Sequence, residues 1–436
     1  MPSTSADSAP PFAFSAAPRG LDDLGVRKSL LEDLALKHIF MEGELNVREL
    51  ADRLGLSQFM TEDLFQRLRK AQLCEVRGMD GPARRVGATG EGRTRAQQAL
   101  THNKYVGKAP VSLDQYVAIV GQQSVSALAI GTEDVQRAFS ALVLSETTMR
   151  QIGVAVVSGT SLVLHGPTGT GKTALAERIP GMYTDAVWLP HAIEVDGQII
   201  TVFDPIVHNQ KEQPPGTEVD RRWILCERPR VIVGGEMTID MMDLQFDRVG
   251  GFATAPIQMK ANNGVLIIDD FGRQRIRPEE LFNRWIVPLE RRVDFLTLVG
   301  GKKLEVPFDV LVVFSTNLDP ATGFTAGDDG IKDEAFLRRI QNKIEIGYSS
   351  REQFRQIFRG VCDQLEVPYD QQVVDDLIVY LTAELQQPLR PCYPRDLVRQ
   401  VVWEARFDKR APVLDWQHVM RACRDYFGLK PSVQVA

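Results

Sequence analysis

Beyond Arg19 the chain switches repeatedly between two hydrophobic periods. The stretches Val26–Met41, Val47–Leu54, Thr61–Ala71 and Glu91–Leu100 carry apolar positions at three- and four-residue spacing, which predicts four short helices. Between them Glu44–Asn46, Leu73–Gly78 and Ala83–Gly87 read as strands, with a turn at Gly55–Ser57 and a hairpin tip at Asp80-Gly81. From about residue 110 to 350, helical runs such as Thr132–Leu144 and Thr147–Ser158 interleave with short β-branched apolar runs, the signature of an α/β domain with a mostly parallel sheet. After residue 350 the strands stop, and Ser350–Leu365, Asp370–Leu385, Tyr393–Lys409 and Trp416–Phe427 read as amphipathic helices.

The predicted organisation is a Ser-, Ala- and Pro-rich disordered tail over 1–20, a small domain over 21–105, an α/β domain over 106–348 and a helical domain over 349–436. Composition narrows this little. At 436 residues with 44% hydrophobic content the chain is globular and exceeds a single core, and a net charge of −6 provides no global basic field. Five scattered cysteines without a Cys-x-x-Cys pair predict reduced thiols, and six scattered histidines predict no structural metal. With no secretory pattern and no run of the roughly 18–20 apolar residues that span a bilayer, the expectation is a cytoplasmic protein without membrane insertion.

The chemistry concentrates in the middle of the chain. An apolar strand, Ser161–Leu164, precedes Gly166-Pro167-Thr168-Gly169-Thr170-Gly171-Lys172-Thr173, and Ala174–Ile179 continues as a helix; this is a full P-loop in its required context. Its glycines let backbone N–H groups curl around phosphate oxygens, Lys172 reaches the β- and γ-phosphates, and the Thr173 hydroxyl is an Mg²⁺ ligand. The second half of such a site is an acid at the end of another buried strand. Val265–Ile268 followed by Asp269 and Asp270 supplies it, with Asp269 as the Mg²⁺ partner and Asp270 placed to orient or deprotonate the attacking water. The cofactors expected are ATP and Mg²⁺.

On these residues the sequence resembles the AAA+ ATPases, which implies a P-loop parallel sheet followed by a helical lid. The strand Val310–Phe314 ends in Ser315-Thr316-Asn317, and the resemblance makes Asn317 the sensor 1 residue on the lytic water or γ-phosphate. Asp333–Ile340 resembles the arginine-finger stretch, with Arg339 favoured and Arg338 second. Pro394-Arg395-Asp396-Leu397 looks like sensor 2, with Arg395 contacting phosphates. Two departures stand out. Asp270 occupies a position where most of the family has Glu, which implies slow hydrolysis, and 97 residues separate Lys172 from Asp269, which leaves room for an insertion.

Within that insertion Val195-Asp-Gly-Gln198 predicts a hairpin turn and Arg222–Val233 an extended pair, while Gly300-Gly301 joins the strands Val293–Val299 and Lys302–Val306. These hairpins, with Met259-Lys-Ala-Asn-Asn-Gly264 before the acidic pair, resemble the MoxR and magnesium-chelatase branch. That branch implies a homo-oligomeric ring, six subunits by resemblance, that remodels a protein client or adaptor; Phe252 is a candidate pore contact. The 21–105 segment resembles winged-helix modules. Gln66, Arg67, Arg69 and Lys70 on its third helix, with Arg77, Arg84 and Arg85 on the wing, could meet DNA, but 14 basic residues there face 13 acidic ones, so protein docking or subunit contact is the favoured role.

Overall fold

The computed structural model describes residues 17–80, 83–213, 219–320 and 338–429. Most of the expected N-terminal tail, Gly81 at the hairpin tip and the 333–337 part of the finger stretch lie outside these residues. The chain begins with α1 (Lys28–Glu42), β1 (Glu44–Asn46), α2 (Val47–Leu54), α3 (Gln58–Lys70), β2 (Cys74–Asp80), β3 (Ala83–Ala88) and α4 (Gly90–His102). There follow β4 (Val111–Ser112), α5 (Leu113–Gln122), α6 (Thr132–Phe139), α7 (Glu146–Val157), β5 (Leu162–His165) and α8 (Lys172–Ala176). A strand-rich stretch holds β6 (Ala186–Pro190), β7 (Ala192–Val195), β8 (Gln198–Thr201), β9 (Trp223–Glu227), β10 (Arg230–Val233), β11 (Gln245–Asp247) and β12 (Phe252–Thr254). Next come α9 (Ile257–Lys260), β13 (Gly264–Ile268), α10 (Pro278–Arg291), β14 (Val293–Thr297), β15 (Lys303–Pro307), β16 (Val310–Thr316) and β17 (Asn342–Glu345). The last helices are α11 (Arg351–Gln364), α12 (Gln371–Val379), α13 (Cys392–Phe407) and α14 (Trp416–Phe427).

Local chemistry sets many of these boundaries. Asn46 and Glu49 form a reciprocal capping box, with both bonds 2.8 Å long, that starts α2. Gly55, left-handed at φ 69°, ends α2, and the Ser57 hydroxyl accepts the Met60 N–H at 3.2 Å, so α3 starts at Gln58. The helix expected to run to Ile179 stops at Ala176 instead. Pro180 removes a donor and crowds the carbonyl four residues earlier, and a short 3₁₀ turn over Ile179–Met182 takes over.

By contact density the described chain divides into two compact units. The first draws on Met1–Ala129, Tyr183–Ile267 and Gln274–Val312, the second on Ile130–Met182, Ile268–Arg273 and Val313–Ala436. One five-stranded sheet runs in the order β10-β13-β16-β5-β17, and β5 pairs in parallel with both of its neighbours. Every residue of β13 and β16 is buried, which explains why both read as continuous apolar runs rather than alternating ones.

In the first unit α1 to α4 enclose a core with Leu31, Leu50, Leu64, Phe65 and Val86 around the sheet β1-β3-β2. A second sheet, β11-β12-β8-β7-β4, takes four strands from the long insertion and β4 from ahead of the P-loop. The β7–β8 connection is a two-residue turn with Asp196 at φ 51° and Gly197 at φ 83°, the pairing a tight hairpin needs. Its tip meets the β14–β15 hairpin: the Gln198 amide donates to Val299 O at 3.0 Å and accepts from Val299 N–H at 3.1 Å.

Two sequence expectations fail in this unit. Arg222–Val233 is extended but not a pair, because β9 binds antiparallel to β6 while β10 joins the five-stranded sheet. The chain turns between them at buried Arg228, whose guanidinium grips the Asp185 carboxylate at 2.7 Å and the carbonyls of Gln123 and Asn263 at 2.9 and 2.7 Å. Phe252, the candidate pore contact, packs edge-on against Tyr105 at 5.9 Å and belongs to the N-terminal core.

In the second unit α11 to α14 pack around Phe354, Phe358, Leu377, Leu397 and Val401. No described helix is long and apolar enough to cross a membrane.

Candidate functional site

The P-loop leaves the end of β5 and is shaped by its own sequence. Gly166 has φ 137°, and a Cβ there would lie 2.4 Å from Ile346 O, so no other residue fits. The loop closes on itself through the Thr170 hydroxyl, which donates to Pro167 O at 2.9 Å. Lys172, 6% exposed, donates to Gly166 O at 2.9 Å, to Pro167 O at 2.8 Å and to Asn317 Oδ1 at 2.7 Å. Burial holds the Lys172 ammonium below its ordinary pKa, and nearby Asp270 and Asp269 pull it back.

Asp269 follows β13 directly, and its two carboxylate oxygens accept the Thr173 hydroxyl at 2.9 and 3.0 Å. The end of β13 is clamped to the end of β16. Phe271 N–H donates to Ser315 O at 2.7 Å, the Thr316 hydroxyl donates to Phe271 O at 2.8 Å, and the Phe271 and Phe314 rings meet edge-on at 5.1 Å. The clamp fixes the acidic pair and Asn317 together, because β16 lies between the strand carrying Asp269 and the strand carrying the P-loop. Asp270 is exposed and left-handed at φ 49°, a conformation uncommon for non-glycine residues but open to aspartate.

Thus two pairs drawn from distant parts of the sequence, Lys172 with Asn317 and Thr173 with Asp269, meet within hydrogen-bond distance on neighbouring residues of one loop. The hydroxyl and carboxylate pair offers a hard cation the oxygen ligands Mg²⁺ takes when substrate phosphates complete its shell, so the residues present fit Mg²⁺ with a nucleotide. Among the described residues no cluster of three His, Cys, Asp or Glu side chains forms a separate metal cage.

The arginines behave differently. Arg339 O accepts the Ser161 hydroxyl at 3.4 Å and β17 pairs Asn342 with Leu162, so Arg338 and Arg339 stand at the start of β5 while the P-loop leaves its end. Five residues of strand, roughly 16 Å, separate them from Gly166, beyond the reach of an arginine side chain within the same chain. Arg395 is 56% exposed, and its Nε donates to the adjacent Asp396 at 3.0 Å. In that segment Arg390 touches the loop, Nη1 donating to Thr168 O at 3.0 Å. Sequence reading passed over Arg390; its flanking Leu389 and Pro391, five residues ahead of the motif arginine, were the available signal.

Most of the basic residues expected on the N-terminal module are occupied. Gln66 donates to Glu62 at 2.7 Å, Arg67 pairs with Asp63 at 3.3 Å, Arg84 with Glu62 at 3.1 Å, Arg85 with Glu44 at 3.4 Å and Arg77 with Glu75 at 3.2 Å; Arg69 and Lys70 are exposed. The α2–α3 turn is covered: Arg221 pairs with Asp52 and donates to Leu56 O at 2.7 Å, and Ala109 N–H donates to Leu54 O at 2.8 Å.

The family signature of magnesium chelatase, subunit ChlI, matches residues 139–213, and that of a domain of unknown function (DUF8689) matches residues 350–425. No curated protein matches the chain significantly. Among solved structures, NtrX from Brucella abortus in complex with ADP is 15% identical at a TM-score of 0.41, over 78% of this chain and 68% of that one. The Holliday junction branch migration motor RuvB of Thermotoga maritima is 16% identical at a TM-score of 0.34, over 73% of this chain and 72% of that one. At such scores neither likeness bears on function. The P-loop on β5, the acidic pair after β13 and Asn317 after the strand between them are the arrangement that the resemblance to the AAA+ ATPases implies, and the chelatase match over 139–213 spans that P-loop.

Proposed function

We propose that this protein is an ATP-hydrolysing AAA+ ATPase of the MoxR- and chelatase-like kind that works as a homo-oligomeric ring, of six subunits by resemblance, in the cytoplasm and remodels a protein client. The convergence of Lys172, Thr173, Asp269 and Asn317 carries this reading. Lys172 exchanges loop carbonyls and Asn317 for β- and γ-phosphate oxygens, and Thr173 with Asp269 would hold Mg²⁺, which would neutralise phosphate charge. Asn317, released from Lys172, orients the lytic water, and Asp270 takes its proton. Asp270 reaches less far than a glutamate, which favours slow turnover.

The position of Arg338 and Arg339 supports a ring. A guanidinium that cannot reach its own P-loop can complete only a neighbour's, which ties hydrolysis to assembly. A mixing experiment tests this. Lys172→Ala and Arg339→Ala chains, each inactive alone, should regain hydrolysis when combined, because mixed assemblies place an intact finger beside an intact P-loop. Silence in mixtures that co-assemble would remove Arg339, with Arg338→Ala then tested the same way.

The N-terminal module is assigned protein docking rather than duplex recognition. Its basic side chains are largely neutralised by its own carboxylates, and the turn ahead of α3, where helix-turn-helix readers face base edges, is covered by Arg221. Steep salt-dependent DNA binding by the full chain, lost on replacing Arg69 and Lys70, would restore the DNA-binding alternative.

A further inference from the structure

Two donors from the helical domain hold the outer side of the P-loop. Arg390 Nη1 reaches Thr168 O at 3.0 Å, and Cys392 N–H reaches Gly169 O at 3.3 Å. The approach depends on a bare Gly169, since a Cβ there would meet Cys392 Sγ at 2.8 Å and Arg390 Cδ at 3.4 Å. Arg390 is itself braced. Its guanidinium carbon stands 5.9 Å from the Tyr348 ring and 6.0 Å from the Tyr393 ring, and Leu389 O accepts Ser349 N–H at 2.9 Å. Tyr348 lies on the segment joining β17 to α11, and Tyr393 lies on α13, so one side chain touches the loop, the hinge and the lid. Its Nε is shielded from solvent and has no hydrogen-bond partner, an expensive state for a charged donor.

The two gripped carbonyls belong to peptide units whose N–H groups, on Gly169 and Thr170, are P-loop donors. An acceptor on such an N–H polarises the peptide and makes its carbonyl a better acceptor. We propose that Arg390 is a positioning residue that couples occupancy of the P-loop to the helical lid, an inference that rests on the ATPase reading above. Phosphate oxygens on the inner N–H groups tighten the hold of Arg390 and Cys392 on the outer carbonyls. Coupling is reciprocal, so the latch raises nucleotide affinity by the factor with which nucleotide tightens the latch.

The test uses the full-length chain, a fluorescent ADP analogue, and hydrogen exchange over residues 351–407 with and without nucleotide. Arg390→Gln should weaken nucleotide binding by about five- to fiftyfold. It should also abolish the lid protection gained on binding, whatever its effect on the nucleotide-free protein; Arg390→Lys, which keeps one donor, should recover part of both. A variant that retains affinity and nucleotide-induced protection overturns the proposal. So does one whose lid exchanges faster without nucleotide while the nucleotide-induced increment persists, since that marks a plain structural strut. If the wild type bound no more analogue than Lys172→Ala, the ATPase reading would fall and the latch with it.

Discussion

The nucleotide site and the N-terminal module are built from the same residue types and handle them in opposite ways. At the site, Lys172 and Asn317 are paired with each other, and Thr173 with Asp269, in bonds an incoming phosphate or cation can replace. In the module, Arg67 and Arg77 meet carboxylates a few residues away, Arg85 one on the next strand and Arg84 one on α3, and no arriving ligand is needed to satisfy them. A charged side chain signals binding when its partners are exchangeable parts of a fixed cradle. It signals a solvated, self-neutralised face when they are neighbours on the same surface, where each pair contributes little.

The largest expected effect breaks the cradle outright. Lys172→Ala removes the ammonium from three acceptors and should lower nucleotide affinity on the order of a hundredfold, about 3 kcal/mol, in a fluorescent-nucleotide titration. Asp270→Asn sharpens the contrast within the site by leaving binding intact. Turnover should fall roughly 10²- to 10⁴-fold in a single-turnover assay while affinity holds, and normal turnover would remove Asp270 as the base.

In the module, Arg221→Ala should loosen the covered turn by about 1–2 kcal/mol without touching nucleotide affinity. Faster amide exchange over Leu54–Leu56 is the readout, and unchanged exchange would show that Arg221 does not hold the turn. The smallest effect is acid sensitivity of the first unit. Burial holds His191 down at about 4 against an ordinary 6.5, so the unfolded chain takes up a proton that the folded one refuses. The group therefore contributes nothing above pH 6.5 and progressively destabilises as pH falls toward 4. Melting curves at pH 7 and pH 4.5 should differ less by about 1–2 kcal/mol in His191→Gln than in the wild type. An equal acid loss in both would acquit His191.

The asparagine pair before β13 shows how a motif can be legible while its reason is not. Asn262 and Asn263 entered the sequence reading only as a family likeness. In the structure both are fully buried, Asn263 left-handed at φ 63°, their amides bound to Val120 O, Pro307 O, Tyr116 Oη and the Asp309 carboxylate. They hold the lead-in to the acidic strand, and buried amides so fully engaged are costly to replace.

By itself the sequence determined the elements and the chemistry that depends on local geometry. The glycine spacing of the P-loop, the buried runs of β13 and β16 and the polar residues at their ends follow from backbone sterics and period, which act over a few residues. Only the tertiary structure decided which strands pair, that β9 and β10 part company at Arg228, and that Phe252 belongs to a core. It also decided that Arg390 reaches the loop while Arg338 and Arg339 stand at the far end of the sheet. Those outcomes are set by contacts between segments 35 to 222 residues apart, and no local pattern encodes where a distant partner will lie.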